Sequence, residues 1–200
     1  MRHTNHGWMP FWGVMAALAG WPLGSVAAET AAAPPSDVVT GAWQHHKVTF
    51  NYTGFTSLYT CSGLEGHVRQ ILLHLGARKD LQVSAVGCPG PEDSPSRTAW
   101  VHTDFYALAP AADTGGSDAA GSGTVPAHWT SLEVTPLRPS FMGDGDCELV
   151  DQMKDLITKN FSLRVVEYST RCVPNQLPLG SYAVRGQALT AVATAKPVKG

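Results

Sequence analysis

Residues 59–78 read YTCSGLEGHVRQILLHLGAR. Leu64, Val68, Ile71, Leu72 and Leu75 recur at the spacing of one helix face. Ser62 and Glu65 have the S-x-x-E separation of a capping box. Gly76 can take the left-handed conformation that closes a helix. Just upstream, Val48, Phe50 and Tyr52 alternate with Thr49 and Asn51, the period of a strand with one buried face. Downstream, residues 80–88, DLQVSAVGC, read as a second strand that ends on a cysteine. The predicted order is strand, helix, strand, with Cys61 at the helix start and Cys88 at the strand end.

The second half of the chain repeats this order. Residues 129–137, WTSLEVTPL, are strand-like. Leu149, Met153, Leu156 and Ile157 repeat the spacing of Leu64, Val68, Ile71 and Leu72. Asp146 is the expected N-cap of that helix. Asn160 takes the place of Gly76, and residues 161–172, FSLRVVEYSTRC, form a strand ending on Cys172. A further strand is predicted in each half, over 98–108 and 181–192. The expected architecture is α+β: a β-α-β-β unit at 43–108 and its duplicate at 128–192, joined in one domain. It would be a mixed sheet with two helices on one face, a ferredoxin-like sandwich with added strands. Chance recurrence of short apolar patterns is the alternative, and the repeated cysteine placement favours duplication.

Parallel strands joined by a helical crossover bring a helix start and the next strand's end to the same sheet edge. The predicted disulfides are therefore Cys61–Cys88 and Cys147–Cys172. An even cysteine count in a secreted chain points the same way. No C-x-x-C occurs, so a structural role is expected rather than a redox one.

The N-terminus supplies the secretory signal. Arg2 precedes an apolar run, residues 11–24, FWGVMAALAGWPLG, and then the small residues of SVAAE. Residues 1–28 read as a signal peptide cleaved after Ala27 or Ala28. The run contains Gly and Pro and falls short of the ~18–20 residues of a spanning helix, so a retained anchor is disfavoured. Residues 29–42 read as a flexible leader, 109–127 as a Gly/Ala/Ser-rich linker loop, and 193–200 as a flexible tail. The Ala- and Gly-rich composition and the signal suit a Gram-negative periplasm. The formal net charge is -2, with 14 Lys plus Arg and no basic block, which argues against nucleic acid or anionic lipid as partner.

Residues 59–88, with the cysteine–helix stretch and the later VGC, resemble a group of uncharacterised secreted proteins of Gram-negative bacteria. The resemblance implies a secreted location. It implies no activity and assigns no functional residue.

Histidine is the commonest metal ligand. Beyond the signal segment lie His45, His46, His67, His74, His102 and His128. His67 and His74 are two helical turns apart, ~10 Å along the axis, too far to share one ion. His45 and His46 are neighbours on a strand and point to opposite faces. The weak metal candidates are His45, His46, His102 and His128; ordinary surface histidines are the competing reading. Residues 143–148, GDGDCE, place Asp144, Asp146 and Glu148 at alternate positions, like the start of a calcium loop. Leu149 stands where such a loop needs glycine and Asp155 where it needs glutamate, so helix capping is the simpler reading. No G-x-S-x-G and no phosphate-binding glycine loop occurs. His102 and Asp104 share a strand face and read as a solvated cross-strand pair. Trp43, Phe50, Tyr52, Phe55 and Tyr59 crowd the first strand and the loop after it, chiefly as core.

The sequence thus predicts function only by class: a secreted, non-catalytic binding or accessory protein of the cell envelope, needing no cofactor. Its partner would be an envelope protein or a small ligand. The alternatives are a periplasmic copper- or zinc-binding protein and an enzyme whose site is assembled from distant residues.

Overall fold

The computed structural model describes residues 38–88, 94–113, 123–176 and 182–192. The predicted signal peptide and tail, and parts of the predicted leader and linker, lie outside them. The first half contains β1 (Val39–Thr53), α1 (Cys61–His74), β2 (Gln82–Val86) and β3 (Thr98–Pro110). The second contains β4 (Thr124–Val134), α2 (Cys147–Gln152), α3 (Lys154–Asn160), β5 (Leu163–Thr170) and β6 (Tyr182–Ala191). The six strands form one sheet in the order β2-β3-β1-β4-β6-β5.

This fold is α+β, but the sheet is not mixed. Each half inserts its last strand between its first two. β3 pairs antiparallel with both β1 and β2, and β6 with both β4 and β5. β1 and β4 are antiparallel as well. The helical crossover does return β2 in the direction of β1, but one strand-width away, and β3 fills the gap running the other way.

The strand period decides which residues meet the helices. Tyr52, Val101, Phe105, Val134 and Val184 form one buried cluster with Leu64, Val68, Ile71 and Leu72 of α1. Leu149, Val150, Met153, Leu156 and Ile157 of α2 and α3 belong to the same cluster. The helices of both halves therefore cover one face of the sheet over a common core. The expected second helix is broken into two. Met153 has ψ -2°, and its N–H is shared between the carbonyls of Leu149 and Asp151.

The cap of α1 also differs from the expectation. Thr60, not Ser62, is the N-cap, accepting from the Gly63 N–H at 2.9 Å. Glu65 instead reaches the edge strand and accepts from the Ala85 N–H at 2.8 Å. At the other end Gly76, at φ +96°, lets the Gly76 and Ala77 N–H groups bond the Leu73 and Leu72 carbonyls.

Disulfides join Cys61 to Cys88 and Cys147 to Cys172, with Cα separations of 6.1 and 5.6 Å. Each ties a helix start to the chain just beyond the following strand. Loops of 27 and 25 residues are closed; the chain-entropy estimate gives about 3–4 kcal/mol for each. Three predicted boundaries move. Val39–Ala42, read as leader, pairs with Thr124–Ala127, read as linker, and this pairing joins the two halves of the sheet. Ala109 and Pro110, also read as linker, continue β3. No helix among the described residues is long and apolar enough to cross a membrane.

Candidate functional site

The sheet face away from the helices carries His45, Lys47 and Thr49 of β1 opposite Tyr106, Asp104 and His102 of β3. His45 Nε2 lies 2.6 Å from Asp104 Oδ1, and Lys47 Nζ lies 3.3 Å from Asp104 Oδ2. Hydrogen bonding to His45, with help from Lys47, holds the Asp104 carboxyl below its ordinary range. The His45 ring stacks on Tyr106 at 4.8 Å. His102 Nδ1 meets Thr49 Oγ1 at 2.9 Å. His46 faces the other way and stacks on Phe105. His128 is in the second half, in register with Thr190 of β6. The four candidate ligands are thus not gathered. His45 and His102 share a face, each engaged by a neighbour, while His46 and His128 lie apart. Among the described residues, no three His, Cys, Asp or Glu groups are placed to hold a metal ion.

Asp146 caps the short 3-10 turn before α2, accepting from the Gly143 N–H at 2.7 Å, and the acidic stretch has a further task. Asp146 makes no side-chain cap bond to α2. It is 5 % exposed, accepts from the Tyr59 hydroxyl and the Gly143 N–H, and has His67 Nδ1 at 3.5 Å. Glu148, 6 % exposed, accepts from the Phe55 N–H at 2.8 Å and from the Thr56 N–H and hydroxyl. Gln152 accepts from the Thr53 N–H and donates to the Thr53 carbonyl. Three side chains of the second half therefore hold the first-half segment around the end of β1. Burial, reinforced by these carboxylates, raises the phenol pKa of Tyr52 and Tyr59.

A groove of about 550 Å³ opens where β4 and β5 end and β6 begins. Paired backbone bonds between Thr135 and Arg138 make a tight turn that sets Leu137 and Arg138 on its rim. Tyr182, whose hydroxyl donates to the Gly143 carbonyl at 2.8 Å, forms part of the wall. Three arginines and three acids line the groove. Four of these charges form a chain. Arg138 and Arg185 both approach Glu133, at 3.7 and 3.5 Å, and Arg185 also approaches Glu167 at 3.5 Å. Two charges are left over. Arg171 makes no ion pair among the described residues. Asp144 Oδ1 is buried with no hydrogen-bond partner among them.

None of these six residues stood out in the sequence as a group. Asp144 belonged to the partial calcium pattern, but Glu133, Arg138, Glu167, Arg171 and Arg185 carry no spacing signal, because four separated segments bring them together. The groove offers the hydroxyls of Thr135, Ser169 and Tyr182, and among the described residues no histidine or cysteine lines it. Comparison with family models, curated proteins and solved structures gives no match to the chain.

Proposed function

We propose that this protein is a secreted, disulfide-stapled, non-catalytic binding protein of the cell envelope, and that the groove at the end of β4, β5 and β6 holds its ligand. One observation carries this reading. The buried acids Asp146 and Glu148 have their donors, whereas two residues that line one groove are unmatched: Asp144, whose buried Oδ1 has no hydrogen-bond partner among the described residues, and Arg171, which makes no ion pair among them. An unmet buried polar atom costs ~1–3 kcal/mol, which a ligand can offset.

Secretion to the periplasm is supported by the N-terminal pattern, by the two disulfides and by the resemblance of residues 59–88 to secreted proteins. Internal duplication is supported by the matching strand order of the halves and by a shared detail. Arg78 lies over the Trp43 ring at 5.7 Å, and Arg164 lies over the Trp129 ring at 3.8 Å. In each half an arginine after the helix thus covers a tryptophan of the first strand.

The test is a thermal-shift screen of the secreted chain against amino acids, short peptides, dicarboxylates and phosphate. At least one charged solute should raise the melting temperature saturably, and the shift should vanish in an Arg171→Gln, Asp144→Asn double variant. A shift that survives the double variant, or no shift with any solute, refutes the groove as the site.

A further inference from the structure

We infer that the ligand is a zwitterion of the peptide class: a short peptide whose terminal carboxylate meets Arg171 and whose ammonium meets Asp144. This inference rests on the groove being the binding site and adds what the site selects.

The argument is charge matching. Arg138, Arg171 and Arg185 balance Glu133, Asp144 and Glu167, so the lining is neutral as a whole. A dianion such as phosphate would satisfy Arg171 but would bring its second charge against the unmatched Asp144. A metal cation would satisfy Asp144 but meet the unmatched Arg171. A neutral molecule with separated charges leaves neither penalty. The two unmatched groups also have complementary chemistry. A guanidinium fork suits a carboxylate, to which it can donate two parallel bonds. Asp144 Oδ1 is acceptor-only and needs an N–H or O–H donor. The Arg138–Glu133–Arg185–Glu167 chain satisfies its own members, which leaves these two positions to read the ligand.

Size and wall chemistry agree. About 550 Å³ falls within the ~300–1,000 Å³ of small-molecule pockets, more than a single small amino acid fills. Leu137, Pro136 and Ala183 supply an apolar wall beside the charged positions, suited to a small side chain between the two ends of a peptide.

Isothermal titration with dialanine and trialanine tests this, alongside the N-acetylated and C-amidated forms of each. The free peptides should bind, and either blocking group should weaken binding at least tenfold. In Arg171→Gln the penalty for amidation should disappear while that for acetylation remains. In Asp144→Asn the reverse should hold. Circular dichroism and the melting temperature establish that both variants are folded. If phosphate or succinate binds and is lost in Arg171→Gln while the free peptides do not bind, the groove stands and the zwitterion assignment falls. If the free peptides bind both variants as tightly as they bind the unsubstituted protein, or no probe binds, the groove itself is not the site.

Discussion

His46 shows how far one residue's role depends on what lies opposite. Strand alternation separates it from His45, and that much follows from the sequence alone. Their partners do not. Asp104 and Tyr106 reach His45, and Phe105 reaches His46, only because β3 pairs with β1 in one register. Burial against the core lowers the His46 pKa; a hydrogen bond with Asn160 opposes this in part. Because the folded value lies below the ordinary value near ~6.5, the unfolded chain takes up the proton first as pH falls. Stability from this group is therefore complete above the unfolded pKa and is lost as pH falls toward the folded one. Urea unfolding from pH 7.5 to 5.5 should show a falling midpoint. His46→Phe, which keeps a ring against Phe105, should flatten that fall. A slope unchanged in the variant would place the titration elsewhere.

The two edges of the sheet are closed by different devices. α1 covers the β2 edge through Glu65, which takes the Ala85 N–H, and Arg69, which donates to the Leu81 carbonyl at 2.8 Å. The sequence shows Glu65 only as a capping-box partner, because its true donor belongs to an element twenty residues away. On β5 the edge carries an irregularity between Arg164 and Glu167. Val165 there adopts φ 48° and is 90 % exposed, a backbone state that β-branched residues rarely adopt. Such a bulge discourages a further strand from adding. Gly186 on β6 makes it possible. A Cβ there would lie 2.7 Å from the Arg164 carbonyl oxygen, and its φ is +159°. Gly186→Ala should cost about 2–3 kcal/mol. Gly66 is the control. It lies inside α1, and a methyl group placed on it would meet no neighbouring atom within 4 Å. Gly66→Ala should therefore stabilise by about 0.5–1 kcal/mol. Denaturant unfolding of both variants measures the opposed signs.

At the scale of the molecule, the order of elements around each cysteine pair was legible from apolar periodicity. The single antiparallel sheet was not. Local patterns define strands but not the insertion of β3 and β6 between their neighbours. Low complexity likewise marked residues 109–127 as a connection and hid the strand ends within it, since Val125 and Ala127 pack in a small cluster with Val39, Leu108 and Leu189 from distant parts of the chain. The groove was illegible for the same reason: its charges converge through the sheet. The two halves nevertheless share one core and are locked by Glu148 and Gln152 onto the segment around the end of β1. They should therefore unfold together. Beyond the predicted signal peptide the tryptophans are Trp43 and Trp100 in the first half and Trp129 in the second, so Trp→Phe variants can report on each half separately. Both reporters should give one urea midpoint. Glu148→Ala leaves the Phe55 and Thr56 N–H groups without their acceptor and should cost about 3 kcal/mol. With an m-value of ~2 kcal/mol/M, both midpoints should fall together by about 1.5 M. A fall confined to the Trp129 reporter would mean that the halves fold as independent units and that the shared core does not couple them.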